Sequence, residues 1–236
     1  MRVHVPLNVA YDHLHIADVL SYRMAPFLDD PLGWLPSKLI SVGSRNAHVH
    51  TSFLDRCARH HDEKNWEVLG MRLGRQKLKR LADEVRANPG RIDVYRMIRF
   101  DDEFEQLPDP ALDFRTRCDM AYEMRQFALA DRYGTAAVAR STFYFLPFTR
   151  FLCTDLSEND EDDVRPFCSQ AVSHLFRKHA TPLLRNRPDR LMLPGDIVSS
   201  PLVKPLFTLD EPTNFPKPIE HYFDAAGWTP ENCYDG

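Results

Sequence analysis

The sequence contains no CxxC pair, and its five cysteines, Cys57, Cys118, Cys153, Cys168 and Cys233, are an odd number at wide spacing. That pattern excludes a conventional disulfide framework and a zinc site of ordinary ligand spacing, so reduced thiols are expected. No stretch approaches the ~18 apolar residues of a membrane span, and no integral membrane segment is expected. The opening MRVHVPLNVAYDHLH lacks a basic segment followed by an apolar core of signal-peptide length, which reads as a chain soluble and cytoplasmic where it is made. Positive charge is also missing in excess. At a net charge of −4, with acidic and basic residues interspersed, there is no electrostatic footprint for nucleic acid or an anionic membrane. No internal repeat is found.

What is present supports one folded unit. The 236 residues are 43% hydrophobic and 27% charged, ordinary globular proportions with enough apolar material for a core, so a single domain over residues 1–236 is the expectation. IADVLSYR (16–23), AHVHTSFL (47–54), NWEVLGMR (65–72) and RIDVYRMI (91–98) read as strands, rich in β-branched and aromatic residues and bounded by turn signals. Helical patterns fall at about 36–41, at 75–87 with Leu78, Leu81, Ala82 and Val85 in register, and from about Ala111 to Arg132. The acidic run at 155–163 reads as a solvated loop. Six prolines between Pro194 and Pro218 favour an extended, wrapping C-terminal extension from about residue 203. Several consecutive strands joined by loops too short for crossover helices predict an α+β fold around an antiparallel sheet.

The chemistry centres on VRPFCSQAVSHLFRKH (164–179). Pro166 suits a first helical turn, Phe167, Ala171, Val172, Leu175 and Phe176 form one apolar stripe, and Arg177, Lys178 and His179 suit the last turn. Cys168 therefore heads a helix, where unpaired N–H groups and the positive dipole end favour thiolate. A cysteine at a random helical position is more often core, so nucleophile and core residue are both open on position alone. A thiolate catalyst needs an imidazole and a polar group to orient it. In HVHTSFL a period of two puts His48, His50 and Ser52 on one face, with Val49, Thr51 and Phe53 on the other, so two histidines compete. Glu67, a carboxylate in an otherwise apolar strand, needs a partner if buried, and the neighbouring histidine strand offers one. An exposed edge position for Glu67 is the competing reading. RHHDE (59–63), with His13 and His15, is a weaker metal candidate without the helical i, i+4 spacing of a metalloprotease motif. His174 and His179 are expected to face outward, FYFLPF (143–148) to be core or a groove wall, and Arg72, Arg75, Lys77, Lys79 and Arg80 to be a solvated helix face.

These motifs, in this order, resemble the circularly permuted papain-like cysteine hydrolases, relatives of the NlpC-type cell-wall peptidases that include YiiX-like proteins and, more distantly, lecithin:retinol acyltransferase-like enzymes. The resemblance runs from ADVLSYR (17–23) and PSKLIS (36–41) through NAHVHTSF, WEVLGMRLG (66–74) and RIDVYR (91–96) to FCSQAV (167–172) and LPGDIVSSPL (193–202). It implies a papain-like domain with histidine preceding cysteine, Cys168 as nucleophile, His48 as base and Glu67 as the third member. It further implies that Asp18 is structural and that no cofactor is needed. Ala17 stands where the family has glycine, the loop 55–64 is long, and Gln170 replaces a commoner glutamate. His60 and His61 are alternatives for the third role, and His50 an alternative base or substrate-facing donor. The implied substrates are a peptide, a peptidoglycan stem or a lipid ester, with delivery by a phage or secretion system as one route to a cell wall. A catalytically silent binding scaffold is the rival expectation.

Overall fold

The computed structural model describes residues 2–27, 29, 31–56, 65–70, 78–97, 112–129, 168–180, 182–184 and 187–225. The acidic run, the FYFLPF stretch, the RHHDE loop with His60 and His61, and Pro166 and Phe167 lie outside these residues. In chain order the elements are β1 (His4–Pro6), α1 (Leu7–Ala10), β2 (Val19–Arg23), α2 (Pro31–Ser44), β3 (His48–Arg56), β4 (Trp66–Leu69), β5 (Leu78–Arg80), α3 (Leu81–Ala87), β6 (Ile92–Met97), α4 (Phe114–Leu129), α5 (Cys168–His179), α6 (Pro194–Val198), β7 (Val203–Asp210) and α7 (Ile219–Ala225).

The strands form one seven-stranded sheet in the order β1-β7-β6-β2-β3-β4-β5. The β1–β7 pair is parallel and the other pairings are antiparallel, so the architecture is α+β with a mixed sheet rather than a purely antiparallel one. Alternation along the strands divides the core in two. On one face Val19, Phe53, Leu69 and Tyr95 meet Met120 and Met124 of α4 and Val172, Leu175 and Phe176 of α5. On the other, Leu20, Leu54, Val68, Ile92 and Val94 meet Leu7, Leu81 and Val85. The stripe expected of the Cys168 helix is buried as its spacing requires, with Ala171, Val172, Leu175 and Phe176 at 0% exposure.

Three expectations are corrected. The helix read from residue 75 is, over its described part, strand β5 followed by α3. Leu78–Arg80 extend the sheet beside β4, where pairing overrides local propensity, and Lys79 ends 2.9 Å from the buried Glu84 rather than on a solvated helix face. The proline-rich segment is not an extension from 203. Pro194 opens α6, where its missing N–H costs nothing, and β7 lies between β1 and β6 in the sheet. Pro205 sits beside the register shift with β6, a position where a strand tolerates proline. The short helix expected at 36–41 extends over Pro31–Ser44, with a proline at its first position, where a missing N–H costs nothing.

Ala17 is one of two non-glycine residues with positive φ among the described residues. Its φ is 63°, a left-handed conformation that costs a non-glycine residue roughly 1–2 kcal/mol. Its N–H is fixed on the Leu54 carbonyl at 2.8 Å. Beside it Asp18, 2% exposed, accepts 2.8 Å hydrogen bonds from Arg96 Nε and Nη2 and from the His15 amide. Asp18 is thereby committed to holding this turn against β6.

Candidate functional site

Cys168 is the first residue of α5, a thiol that is 3% exposed. Two contacts fix which way α5 lies. Near its start, Ser169 Oγ donates to the Met192 carbonyl at 2.6 Å. Three residues beyond Met192, Gly195 abuts the turn that leads into β3: a Cβ there would lie 2.6 Å from Asn46 Cβ and 2.7 Å from Ser44 Cβ. Near the other end of α5, the Phe176 ring meets that of Phe53 edge-on at 5.6 Å. The helix thus follows β3 with its N-terminus at the His48 end.

His48 reaches that side of the sheet only because β3 is irregular. Thr51 pairs with Ser21 and His50 with Tyr22, but Arg23 pairs with His48, so the register shifts at Val49. The extra residue is a β-bulge, and it reverses the alternation for everything before it. His48 therefore shares its face with Thr51, Phe53 and the Cys168 helix, contrary to the period-two reading that grouped it with His50 and Ser52. His50 stays on the opposite face, its Nε2 3.0 Å from Ser52 Oγ and its ring 5.2 Å from that of Tyr22. That placement removes His50 from the thiol's side. Before the bulge, Asn46 Oδ1 accepts the His48 amide hydrogen at 3.2 Å and fixes the strand's entry.

The His48 ring is 1% exposed and packs edge-on against Tyr95, at 5.8 Å between centroids. Its Nε2 lies 3.3 Å from the Tyr95 hydroxyl and 3.5 Å from Asp93 Oδ2. The first is a hydrogen bond; the second acts through charge. The carboxylate favours the tautomer carrying its proton on Nε2. Nδ1 is buried with no hydrogen-bond partner among the described residues. It is left with its lone pair available. Asp93, 3% exposed, accepts from Thr208 Oγ1 at 2.6 Å on its other oxygen, while Arg23 Nε and Arg2 Nη1 stand 3.3 and 3.5 Å from Oδ2.

Burial lowers the His48 pKa most, the Asp93 charge raises it, and Arg2 and Arg23 lower it again, leaving it at about 4. The Tyr95 hydroxyl is pushed up to about 12, by burial first and then by Asp93, so it keeps its proton at neutral pH. A neutral buried imidazole is an acceptor in waiting. It also ties stability to pH. Between pH 4 and 6.5 the unfolded chain binds a proton that native His48 refuses, so this contribution is full above 6.5 and lost as pH falls through 4. It amounts to roughly 3 kcal/mol. Urea unfolding of the wild type at pH 7 and near pH 4 is expected to differ by about that much more than unfolding of His48→Gln, and parallel pH dependence in the two would remove the assignment.

Glu67 does not join this group. It pairs across the ladder with Asp55, seven positions along β3 from His48 and therefore about 20 Å away. There Arg125 Nη2 donates to Glu67 Oε2 at 2.7 Å and to Asp55 Oδ2 at 2.6 Å, so the partner that Glu67 needed is an arginine of α4. The carboxylate beside His48 is Asp93. It carried the same signal as Glu67, an acid alternating with apolar residues in RIDVYR, and with Tyr95 it was missed. The helix histidines also separate: the His174 side chain is half exposed, whereas His179 is mostly buried, 3.2 Å from Glu123.

Among the described residues no group of three His, Cys, Asp or Glu side chains is placed to hold a metal ion, and no helix is long and apolar enough to cross a membrane. No protein-family model matches the chain, and no curated protein matches it.

Proposed function

We propose that this protein is a thiol hydrolase acting on amide bonds of a peptide or a peptidoglycan stem, built as a circularly permuted papain-like domain with Asp93 in the place expected of Glu67. Cys168 is the nucleophile, His48 the general base, and Asp93 and Tyr95 position the imidazole. One observation carries the reading. The bulge in β3 turns the His48 ring onto the face covered by the Cys168 helix, with Nε2 directed at Asp93 and Tyr95 and a buried Nδ1 left over. That leftover nitrogen is the one suited to take the sulfur's proton.

In the first half-reaction the Cys168 proton passes to His48 Nδ1 as sulfur attacks the scissile carbonyl, and the resulting oxyanion is met by backbone N–H groups at the start of α5. The imidazolium, opposed by burial but offset by Asp93, returns the proton to the departing amine. Water, activated by neutral His48, then cleaves the thioester. Since burial disfavours the charged imidazole, His48 rests neutral and takes up its proton as sulfur attacks.

The test is site-resolved alkylation by iodoacetamide near neutral pH, read by peptide mass mapping. Cys118 is the internal comparison, its thiol pKa raised by burial and by the Asp55 and Asp119 charges. Cys168 is expected to react at least about ten times faster than Cys118. Equal or slower reaction at Cys168 supports the silent scaffold instead.

A further inference from the structure

A cavity of about 160 Å³ opens beside the groups that hold His48, lined among the described residues by Arg2, Val3, Asp93, Tyr95, Phe207 and Thr208, with Pro205 and Leu206 of β7. Its volume is close to that of an engineered cavity that admits benzene, so it has room for a short acidic side chain. Among the described residues its charge is unbalanced. Arg2 and Arg23 both approach Asp93 Oδ2, at 3.5 and 3.3 Å, yet neither contact has hydrogen-bond geometry: Asp93 Oδ2 and Arg23 Nε are both buried with no hydrogen-bond partner among the described residues. One carboxylate faces two guanidiniums.

The two arginines differ in what they can still do. Arg23 donates to the Gly90 carbonyl and its side chain is 23% exposed, whereas that of Arg2 is 45% exposed and stands on the cavity wall. A guanidinium in that position matches a planar carboxylate through two parallel N–H donors. The surplus of one positive charge suits a monoanion better than a phosphate dianion.

We infer that this cavity is a carboxylate-binding subsite in which Arg2 holds an acidic group of the substrate next to the scissile amide, so that the preferred substrates are acidic peptides. The inference rests on the hydrolase reading above. It carries a consequence for the base: Arg2 drawn toward the substrate leaves more of the Asp93 charge to His48.

The experiment compares alkylation of Cys168 by iodoacetate and by iodoacetamide in wild type, Arg2→Gln and Arg2→Lys. Each reagent forms a sulfur–carbon bond and expels iodide as the sulfur's proton leaves to His48, and the two differ in charge. The iodoacetate-to-iodoacetamide rate ratio is expected to fall about three- to tenfold in Arg2→Gln at low salt, to be largely kept in Arg2→Lys, and to shrink in wild type at high salt. N-acetylglutamate is expected to protect wild-type Cys168 where N-acetylglutamine does not. An unchanged ratio in Arg2→Gln, with iodoacetamide still fast, rejects the subsite and leaves the hydrolase intact. Slow reaction of wild-type Cys168 with both reagents removes the nucleophile and the subsite with it. Protection by inorganic phosphate but not by N-acetylglutamate also overturns the carboxylate assignment.

Discussion

Cys168→Ala is expected to abolish the proposed amide hydrolysis, lowering kcat by on the order of 10⁴-fold or more, because alanine offers no nucleophile. The substitution is conservative for the fold. Cys168 is 3% exposed and packs in the same core cluster as Ala171 and Tyr95, so loss of one sulfur atom costs about 1 kcal/mol of burial. Thermal unfolding should therefore shift by only a few degrees while turnover disappears. The measurement is a substrate panel of acidic and neutral peptides, peptidoglycan fragments and lipid esters, run on wild type and variant in parallel, with a thiol-directed activity probe as an independent readout. Turnover that survives in Cys168→Ala would take this cysteine out of the chemistry.

Asp93→Asn and Glu67→Gln give the second result, and the contrast between them is what matters. Asparagine is nearly isosteric with Asp93 and still accepts from Thr208 Oγ1, but it withdraws the charge 3.5 Å from His48 Nε2. An amide there no longer favours a proton on Nε2 or stabilises the imidazolium, so kcat should fall by about 10²- to 10⁴-fold. Arg2 and Arg23 lose their shared anion as well, and a stability loss of about 1–3 kcal/mol is expected from the uncompensated partners. Glu67→Gln acts elsewhere. It weakens a partly exposed pair with Arg125, which Asp55 still holds at 2.6 Å, so stability should change by at most about 1 kcal/mol and kcat by less than about twofold. Steady-state kinetics with matched chemical denaturation separates the two variants. Full activity in Asp93→Asn together with loss in Glu67→Gln would reverse the assignment of the acid.

The parts of this site that were legible are those encoded locally. The helix headed by Cys168 could be read because its stripe, its prospective first turn and its basic last turn all lie within sixteen residues. Asp18 could be set aside only on the resemblance, and its carboxylate is held by Arg96 and the His15 amide. The face of His48 was not legible, since nothing in HVHTSFL marks Val49 as the residue skipped by the ladder. The bulge exists only in the pairing with β2. Choosing between Glu67 and Asp93 failed for a related reason. Both are acids in apolar strands and both need partners, but alternation says that a partner is required without saying which. Opposite Glu67 the fold brought Asp55 and Arg125; near Asp93 it brought His48, Tyr95, Arg23 and Arg2.

The proline-rich segment shows the same division. Its prolines bias the backbone toward extended chain, and extended it is from Val203 to Asp210. Whether extended chain wraps the surface or fills a gap in a sheet depends on strands more than a hundred positions earlier. By itself the sequence determined an α+β chain with strands near β2, β3, β4 and β6, a helix beginning at Cys168, and in Glu67 an acid that needs a partner if its strand is buried. Tertiary structure alone decided which histidine and which acid share the thiol's face. Periodicity acts over a few residues and fixes alternation, whereas strand register is a relation between distant segments, and one skipped residue in it exchanges the two sides of the sheet.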